Sequence, residues 1–456
     1  MYLGKVKNIH FVGIGGIGMS GIAELMHNQG FQVTGSDLNQ NDVIDHLREL
    51  GINIAIGHVP ENLGNADMIV YSSAVTSDNV EIQEARKRNL LVIRRAEMLA
   101  ELMRIKYSVA VAGTHGKTTT TSMVGKVMTE GNLDPTIIVG GKLRSLKTNA
   151  KLGSGEFLVA EADEFDRSFL RLFPTMAIIT TLEAEHLDCY KDLSEIQSAF
   201  VEFANRVPFF GSVIVCIDEP AIREIIPRIQ RRIVTYGTSS YADFRTENIQ
   251  LGANTATGEV LLHNQPVGKL SLQLTGMHNL KNALAAIAVG IEVNIPFTTI
   301  LSALSDFKGV IRRFEIKGVV DDIIIVDDYA HHPTEILVTL RGAKQGWKRR
   351  LITIFQPHLY SRTRDFCDKF GQSFQDADIL VITDIYPARE KPIPGISGEL
   401  IAICAKNAGH KNVLYVPDKE NVVEEVRKIL NPHDMVITMG AGDIWKIGEQ
   451  LVEQLK

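Results

Sequence analysis

Two glycine-rich turns constrain this chain more than any other feature. Gly13-Ile14-Gly15-Gly16-Ile17-Gly18 and Gly113-Thr114-His115-Gly116-Lys117-Thr118 each follow a short apolar run and open onto a helical pattern. A glycine turn between strand and helix lets the backbone approach an anion closely. The helix start then offers unpaired N–H groups and partial positive charge. Around these turns, short β-branched runs alternate with longer amphipathic stretches, the pattern of an α/β chain with parallel sheets.

The 456 residues allow for three domains at roughly 150 residues each. The reading places a Rossmann-like domain over residues 1–106, a central P-loop ATPase-like parallel sheet over 107–312, and a Rossmann-like doubly wound sheet over 313–456. The expected strands of the third part are Ile323–Val326, Arg350–Phe355, Ile379–Thr383, Val413–Val416 and Met435–Met439. The stretch Thr238–Leu274 is less regular and rich in hairpin signals. The first helix is expected from about Met19.

Composition removes several classes. A formal net charge of −6, with no basic stripe, argues against a nucleic-acid partner. No uninterrupted apolar span of about 20 residues occurs, so no membrane insertion is expected. Lys5 and Lys7 before the apolar run Ile9–Ala23 loosely imitate a signal peptide, but five glycines at turn spacing suit strand, turn and helix better. The four scattered cysteines, Cys189, Cys216, Cys367 and Cys404, suggest reduced thiols in a cytoplasmic protein and speak against a disulfide framework.

The first turn suits a diphosphate, and Asp37 ends the next strand where a ribose-binding acid sits in dinucleotide folds. NAD is the alternative guest. In the second turn, Lys117 can neutralise terminal phosphates, and Thr118 can give its hydroxyl to Mg²⁺. Position 111 is Val, so the loop is shorter than the standard phosphate-loop pattern. Acids follow at two strand ends: Glu161, Asp163, Glu164 and Asp166, then Glu183, Glu185, His186 and Asp188. Residues at the carboxyl ends of parallel strands face the phosphate-loop crevice. His358 and Arg362 are four apart, so a helical segment would put them on one face. Paired His331-His332 suit a cap on a helix from Pro333.

Longer motifs complete the pattern: Gly276-Met277-His278-Asn279 with Asn282-Ala283, Arg312-Arg313-Phe314-Glu315, Asp327 through Glu335, Phe355-Gln356-Pro357-His358, and Tyr360-Ser361-Arg362-Thr363. Together with the two turns, they resemble the Mur ligase family over nearly the whole chain. The resemblance implies an ATP-dependent ligase joining L-alanine to the lactyl carboxylate of UDP-N-acetylmuramate through an acyl phosphate.

It further implies that Gly15, Gly16, Gly18, Met19, Ser20, Asp37, His58, Ser72, Ser73 and Ala74 hold the UDP-sugar. ATP would meet Gly113, Thr114, His115, Gly116, Lys117, Thr118, Thr119, His278, Asn279 and Asn282, with Arg312 or Arg313 and Asp328 near ribose or phosphate. Thr118, Glu161 and His186 would surround Mg²⁺, with Mn²⁺ as a substitute. Tyr329, His331, His358 and Arg362 would receive the amino acid. Lys117, Glu161, His186, His358 and Arg362 would carry the chemistry. A monomer or weak homodimer and closure on ligand binding are expected. No lysine lies between Leu193 and Asn205, so no carbamylated lysine is assigned. The competing readings are a ligase attaching a preformed peptide during cell-wall recycling, a nucleotide-dependent oxidoreductase, and a nucleotide-binding switch.

Overall fold

The computed structural model describes residues 4–72, 74–139, 150–184, 189–388 and 390–456. They form three sheets. The first holds β1 (Asn8–Val12), β2 (Gln32–Asp37), β3 (Asn53–Ile56), β4 (Met68–Tyr71) and β5 (Leu91–Arg94), in the order β3-β2-β1-β4-β5. All four pairings are parallel. The order reverses between β1 and β4, and ligands bind at the carboxyl ends of such a switch point.

The second sheet contains β6 (Tyr107–Ala112), β7 (Thr136–Ile138), β8 (Ala150–Lys151), β9 (Phe157–Glu161), β10 (Met176–Ile179), β11 (Ser212–Cys216), β12 (Ile233–Gly237), β13 (Phe244–Leu251), β14 (Ala256–Leu262) and β15 (Gln265–Leu272). Its order is β15-β14-β13-β12-β11-β10-β6-β9-β7-β8. β6 lies between β9 and β10, parallel to both. The irregular stretch expected at Thr238–Leu274 is the edge built by β13 to β15. His263 and Asn264 both take positive φ between β14 and β15, as a two-residue hairpin turn requires.

The third sheet runs β16 (Glu315–Val320), β17 (Ile323–Asp328), β21 (Asp434–Met439), β18 (Arg350–Phe355), β19 (Ile379–Ile382) and β20 (Val413–Tyr415). Successive strand residues point to opposite faces, so a strand covered on both sides must be apolar throughout. Ile324 and Val326 join one buried cluster, while Ile323 and Ile325 join the other. That is the doubly wound arrangement expected. β16 is the exception, an antiparallel edge strand with a bulge between Ile316 and Gly318. The sequence reading names no strand there, because the segment is half-exposed and lacks a run of buried β-branched residues.

The chain divides into two compact units. One is Met1–Asn248 with Gly258–Leu270 and Lys281–Phe307; the other is Ile249–Thr257 with Ser271–Leu280 and Lys308–Lys456. The first helix spans Ile17–Asn28, two residues ahead of the expected start, because Gly16 is still extended and closes the turn as N-cap.

One expectation is corrected. Cys367 and Cys404 form a disulfide, with Cα atoms 6.0 Å apart; Cys189 and Cys216 keep their thiols. The pair lies 37 positions apart in sequence, and the packing of helix Cys367–Ser373 against Gly398–Asn407 brings it together. Sequence spacing carries no trace of that packing. Among the described residues no helix is long and apolar enough to cross a membrane.

Candidate functional site

The first glycine turn leaves β1 at the switch point. Gly13 N and Ile14 N donate to Ser36 O at 2.8 and 3.1 Å, and Gly15 N donates to Asp37 Oδ2 at 2.9 Å. The turn is thus fastened to the end of β2 while the start of helix Ile17–Asn28 stays available. Met19 and Ser20 lie in that helix's first turn. Asp37, the acid expected near ribose, holds the loop through its bond from Gly15 N. Ser72 lies against Gly13, its Cβ 3.3 Å from where a Gly13 Cβ would stand. Ala74 N donates to Ser72 Oγ at 3.3 Å. Gly57 N bonds Asp37 O at 2.8 Å, placing His58 beside the same strand end. Ser73 lies outside the described residues.

Sequence reasoning missed Arg95. Its Nη1 is 3.0 Å from the Cβ position of Gly18, so the guanidinium covers the turn. Among the described residues it makes no ion pair or hydrogen bond. The signal was present, as a cation at the start of a helix, but nothing in the sequence ties position 95 to position 18.

The second turn leaves β6 between β9 and β10. Val111 pairs with Glu161, and Ala112 with Ile179, so the turn emerges between the two acid-bearing strand ends as expected. Gly113 has φ +133°, and a Cβ there would stand 2.1 Å from Thr180 Oγ1. Thr180 and Thr181, which the sequence reading did not single out, anchor the loop. Thr180 Oγ1 donates to His115 O at 2.5 Å, and His115 N donates to Thr181 Oγ1 at 2.8 Å. Thr114 N donates to Thr181 O at 3.1 Å. Gly116 is left-handed at φ +81°, with Asn282 Oδ1 2.8 Å from its Cβ position, so Asn282 lies over the loop.

Lys117 opens helix Lys117–Glu130. Its Nζ donates to Gly113 O at 2.6 Å and to both oxygens of Glu164 at 2.9 Å. Glu164 is buried, and its own carbonyl accepts from Tyr190 Oη at 2.7 Å. Burial pushes the Tyr190 hydroxyl well above its usual range. Glu164 stood among the candidate acids, but its partner was not foreseen. Thr118 and Thr119 lie buried in the first turn. The Thr118 hydroxyl makes no hydrogen bond among the described residues. With Glu161 on the neighbouring strand end, the donors are hard oxygens, the kind Mg²⁺ takes alongside phosphate and water. Glu183 Oε2 lies 3.7 Å from His115 Nε2. His186, Glu185, Asp188 and the side chain of Asp166 lie outside the described residues.

In the other unit, His278 and Asn279 occupy the first turn of helix Met277–Glu292, where Asn279 Nδ2 donates to Thr275 O at 2.7 Å. Arg312 and Arg313, left open by the sequence, differ sharply. Arg312 Nε bonds Asp327 at 3.0 Å, Nη1 bonds Gly442 O at 3.1 Å, and Nη2 bonds Gly440 O at 2.6 Å. Among the described residues the Arg313 guanidinium makes one hydrogen bond, to Glu335 Oε1 at 3.3 Å. Both guanidinium groups lie over the Tyr329 ring. Asp328 accepts Phe314 N at 2.8 Å and Ala330 N at 2.7 Å. Burial pushes its carboxyl up to about 6, against the opposing pull of Arg313 and the two amides.

His332 caps helix Pro333–Gly346, as expected, and Glu335 completes the capping box. His331 points elsewhere, its Nδ1 3.0 Å from Tyr329 O and 3.2 Å from Glu335 Oε2. Its ring meets Tyr329 at 5.2 Å and His358 at 5.8 Å, and His358 stacks on Tyr386 at 5.9 Å. Three of the four residues expected at the amino acid therefore adjoin. Arg362 lies on helix Tyr360–Asp365, whose N-terminal amide at Ser361 donates to Glu390 at 3.0 Å. The condition under which His358 and Arg362 would share a helical face is not met, because the helix begins at Tyr360. Leu359, at φ +72°, breaks the backbone between them, and His358 is bridged to Tyr386 instead.

Two glycine turns, each leaving a parallel strand for a helix start, are the marks of a nucleotide-dependent α/β protein, and comparison with known proteins makes the class explicit. The chain matches the Mur ligase family catalytic domain over residues 8–107, the Mur ligase middle domain over 111–290, and the glutamate ligase domain of Mur ligases over 312–442. It belongs to the Mur ligase family.

Within that family, it is 53% identical to the UDP-N-acetylmuramate–L-alanine ligase of Geotalea uraniireducens, covering 99% of each chain. It is 51% identical to the enzyme of the same name from Salinibacter ruber, covering 100% of this chain and 96% of that one. Among solved structures it resembles the UDP-N-acetylmuramate-alanine ligase of Thermotoga maritima, with a TM-score of 0.83 at 30% identity and 98% coverage of each chain. A murein peptide ligase from Psychrobacter arcticus follows at a TM-score of 0.74 and 26% identity, with the same coverage.

Proposed function

We propose that this chain joins L-alanine to the lactyl carboxylate of UDP-N-acetylmuramate at the expense of ATP, in the cytoplasmic assembly of the peptidoglycan precursor. The observation that carries the reaction class is the second turn. It is a phosphate-sized loop at a switch point, with Lys117 and Thr118 at its helix start and Glu161 on the adjoining strand. The choice of acceptor rests on full-length identity near 50% to alanine-adding relatives. The peptide-adding neighbour shares the fold at about half that identity.

A carboxylate does not react with an amine at neutral pH until one oxygen becomes a leaving group. The lactyl carboxylate oxygen attacks the γ-phosphorus of ATP; the bond to the β-phosphate oxygen breaks, leaving an acyl phosphate and ADP. The amine nitrogen then adds to the acyl carbon, and the tetrahedral species expels phosphate while the nitrogen loses a proton. The first step is positioning and charge neutralisation. Lys117 supplies charge by exchanging Glu164 for phosphate. Thr118, Glu161 and His186 would hold Mg²⁺, which withdraws charge from the transferring phosphoryl group when bound. The first turn, with Ser20, Asp37, His58 and Ser72–Ala74, receives the UDP-sugar, and Arg95 adds a cation above it.

In the second step Arg362 grips the amino acid carboxylate as a planar fork, and His331, with His358 beside it, accepts the amine proton. Arg313 is the arginine that meets the nucleotide, since Arg312 is committed to Asp327 and two carbonyls. Positional isotope transfer tests the sequence of bonds. Substrate labelled with ¹⁸O in the lactyl carboxylate should deliver one ¹⁸O to the released phosphate. Unlabelled phosphate would rule out the acyl phosphate.

A further inference from the structure

Beneath the first turn lies a buried carboxylate that no step above uses. Glu81 sits in the first turn of helix Val80–Lys87 and is fully buried. Its Oε1 accepts from Asn62 Nδ2 at 2.5 Å and Val59 N at 3.3 Å. Its Oε2 accepts from Ser36 Oγ at 2.5 Å and stands 3.5 Å from His10 Nε2 and 3.4 Å from His58 Nδ1. Burial alone would raise its pKa, but the adjacent His10 ring and the bonds from Ser36 and Asn62 outweigh burial and hold it lowered, so it remains an ionised acceptor. It is a costly group to bury merely to tie down a surface loop.

The hydrogen bonds fix more than position. The one hydroxyl proton of Ser36 is given to Glu81. Ser36 Oγ therefore shows only lone pairs to His58 Nδ1, 3.0 Å away. The other atom facing Nδ1 is the Glu81 oxygen, also an acceptor. Nδ1 must carry the hydrogen, which leaves Nε2 of the neutral ring as a bare lone pair. Nε2 has no partner among the described residues and is not sealed in the core. The ring stands beside Asp37, at the strand end to which Gly13, Ile14 and Gly15 are fastened.

We infer that Glu81 is a positioning residue for substrate recognition. Through Ser36 it locks His58 in the Nδ1–H tautomer, so that Nε2 accepts a hydrogen bond from an N–H or O–H donor of the uridine moiety. The inference rests on the proposed binding of a UDP-sugar at the first turn. Replacing the carboxylate by an amide supplies a donor where an acceptor stood, which favours the opposite tautomer and turns Nε2 from acceptor to donor.

The test uses the full chain and UMP as probe. In the wild type, long-range ¹H–¹⁵N spectra, with His58 assigned by its loss in His58→Gln, should show Nδ1 protonated and Nε2 bare. Glu81→Gln should lose that signature and weaken UMP binding about tenfold, the scale of a hydrogen bond to an oriented acceptor. The KM for the UDP-sugar should rise in parallel, while kcat at saturation and the ATP KM stay as they were. Glu81→Asp, which keeps the charge, should restore most of the affinity. An Nε2-protonated His58 in the wild type would overturn the inference, and that result needs no variant to fold. So would a folded Glu81→Gln protein with unchanged UMP affinity. Failure of the wild type to bind UMP at all would instead remove the UDP-sugar reading on which the inference stands.

Discussion

Lys117 divides its ammonium between a loop carbonyl and the buried Glu164. Lys117→Ala should abolish ATP-dependent turnover while leaving UDP-sugar affinity nearly intact; calorimetry and phosphate release on one preparation check both. Turnover near wild type would remove the phosphate-loop assignment. Arg362→Lys should mainly raise the L-alanine KM, because an ammonium cannot reproduce a planar fork; an unchanged KM would take Arg362 out of the site.

Asp328 gives a pH signature. Its pKa is raised in the folded protein, from 3.8 to about 6, so between those values the folded state holds a proton that the unfolded state lacks. Stability therefore falls as pH rises through that window, by on the order of 2–3 kcal/mol. Relative to Asp328→Asn, the wild type should lose ground in urea midpoint from pH 4 to pH 6. A constant difference would contradict the assignment.

Lys117 and Thr118 were legible because their chemistry is written in six consecutive residues. Glu81 and Arg95 were not, and Glu164 was legible as an acid but not as the partner of Lys117, because topology supplies the partners: Ser36 lies 45 positions from Glu81, and Lys117 lies 47 from Glu164.

At the scale of elements, the same contrast holds. A strand buried on both faces shows as an apolar run, as Ile323–Val326 of β17 does, and both glycine turns fall where a strand meets a helix. The edge strand β16 escaped notice because half-exposed positions carry no alternation to read. The break at Leu359 escaped because a bulky residue at positive φ has no sequence signature. The disulfide between two packed helices was concealed for the same reason as the ion pairs.

Gly113 makes the link between element and site testable. Gly113→Ala places a methyl group 2.1 Å from Thr180 Oγ1 in a backbone region that alanine avoids. The cost should be at least about 3 kcal/mol, read as a lower urea midpoint together with a raised ATP KM. A wild-type midpoint and ATP KM would show that the loop is not held as described.

For the whole molecule, three α/β domains in the order of a Mur ligase account for the length, the two switch-point turns and the doubly wound third sheet. The oxidoreductase reading leaves the second turn without a task, and the switch reading leaves the cluster of Tyr329, His331 and His358 without one. The most direct measurement is phosphate release with ATP, Mg²⁺ and UDP-N-acetylmuramate, adding L-alanine, glycine, L-serine or the cell-wall tripeptide one at a time. Release should require the UDP-sugar and be fastest with L-alanine. Release with the tripeptide alone would move the function to peptide recycling, and no release with any acceptor would contradict the ligase account.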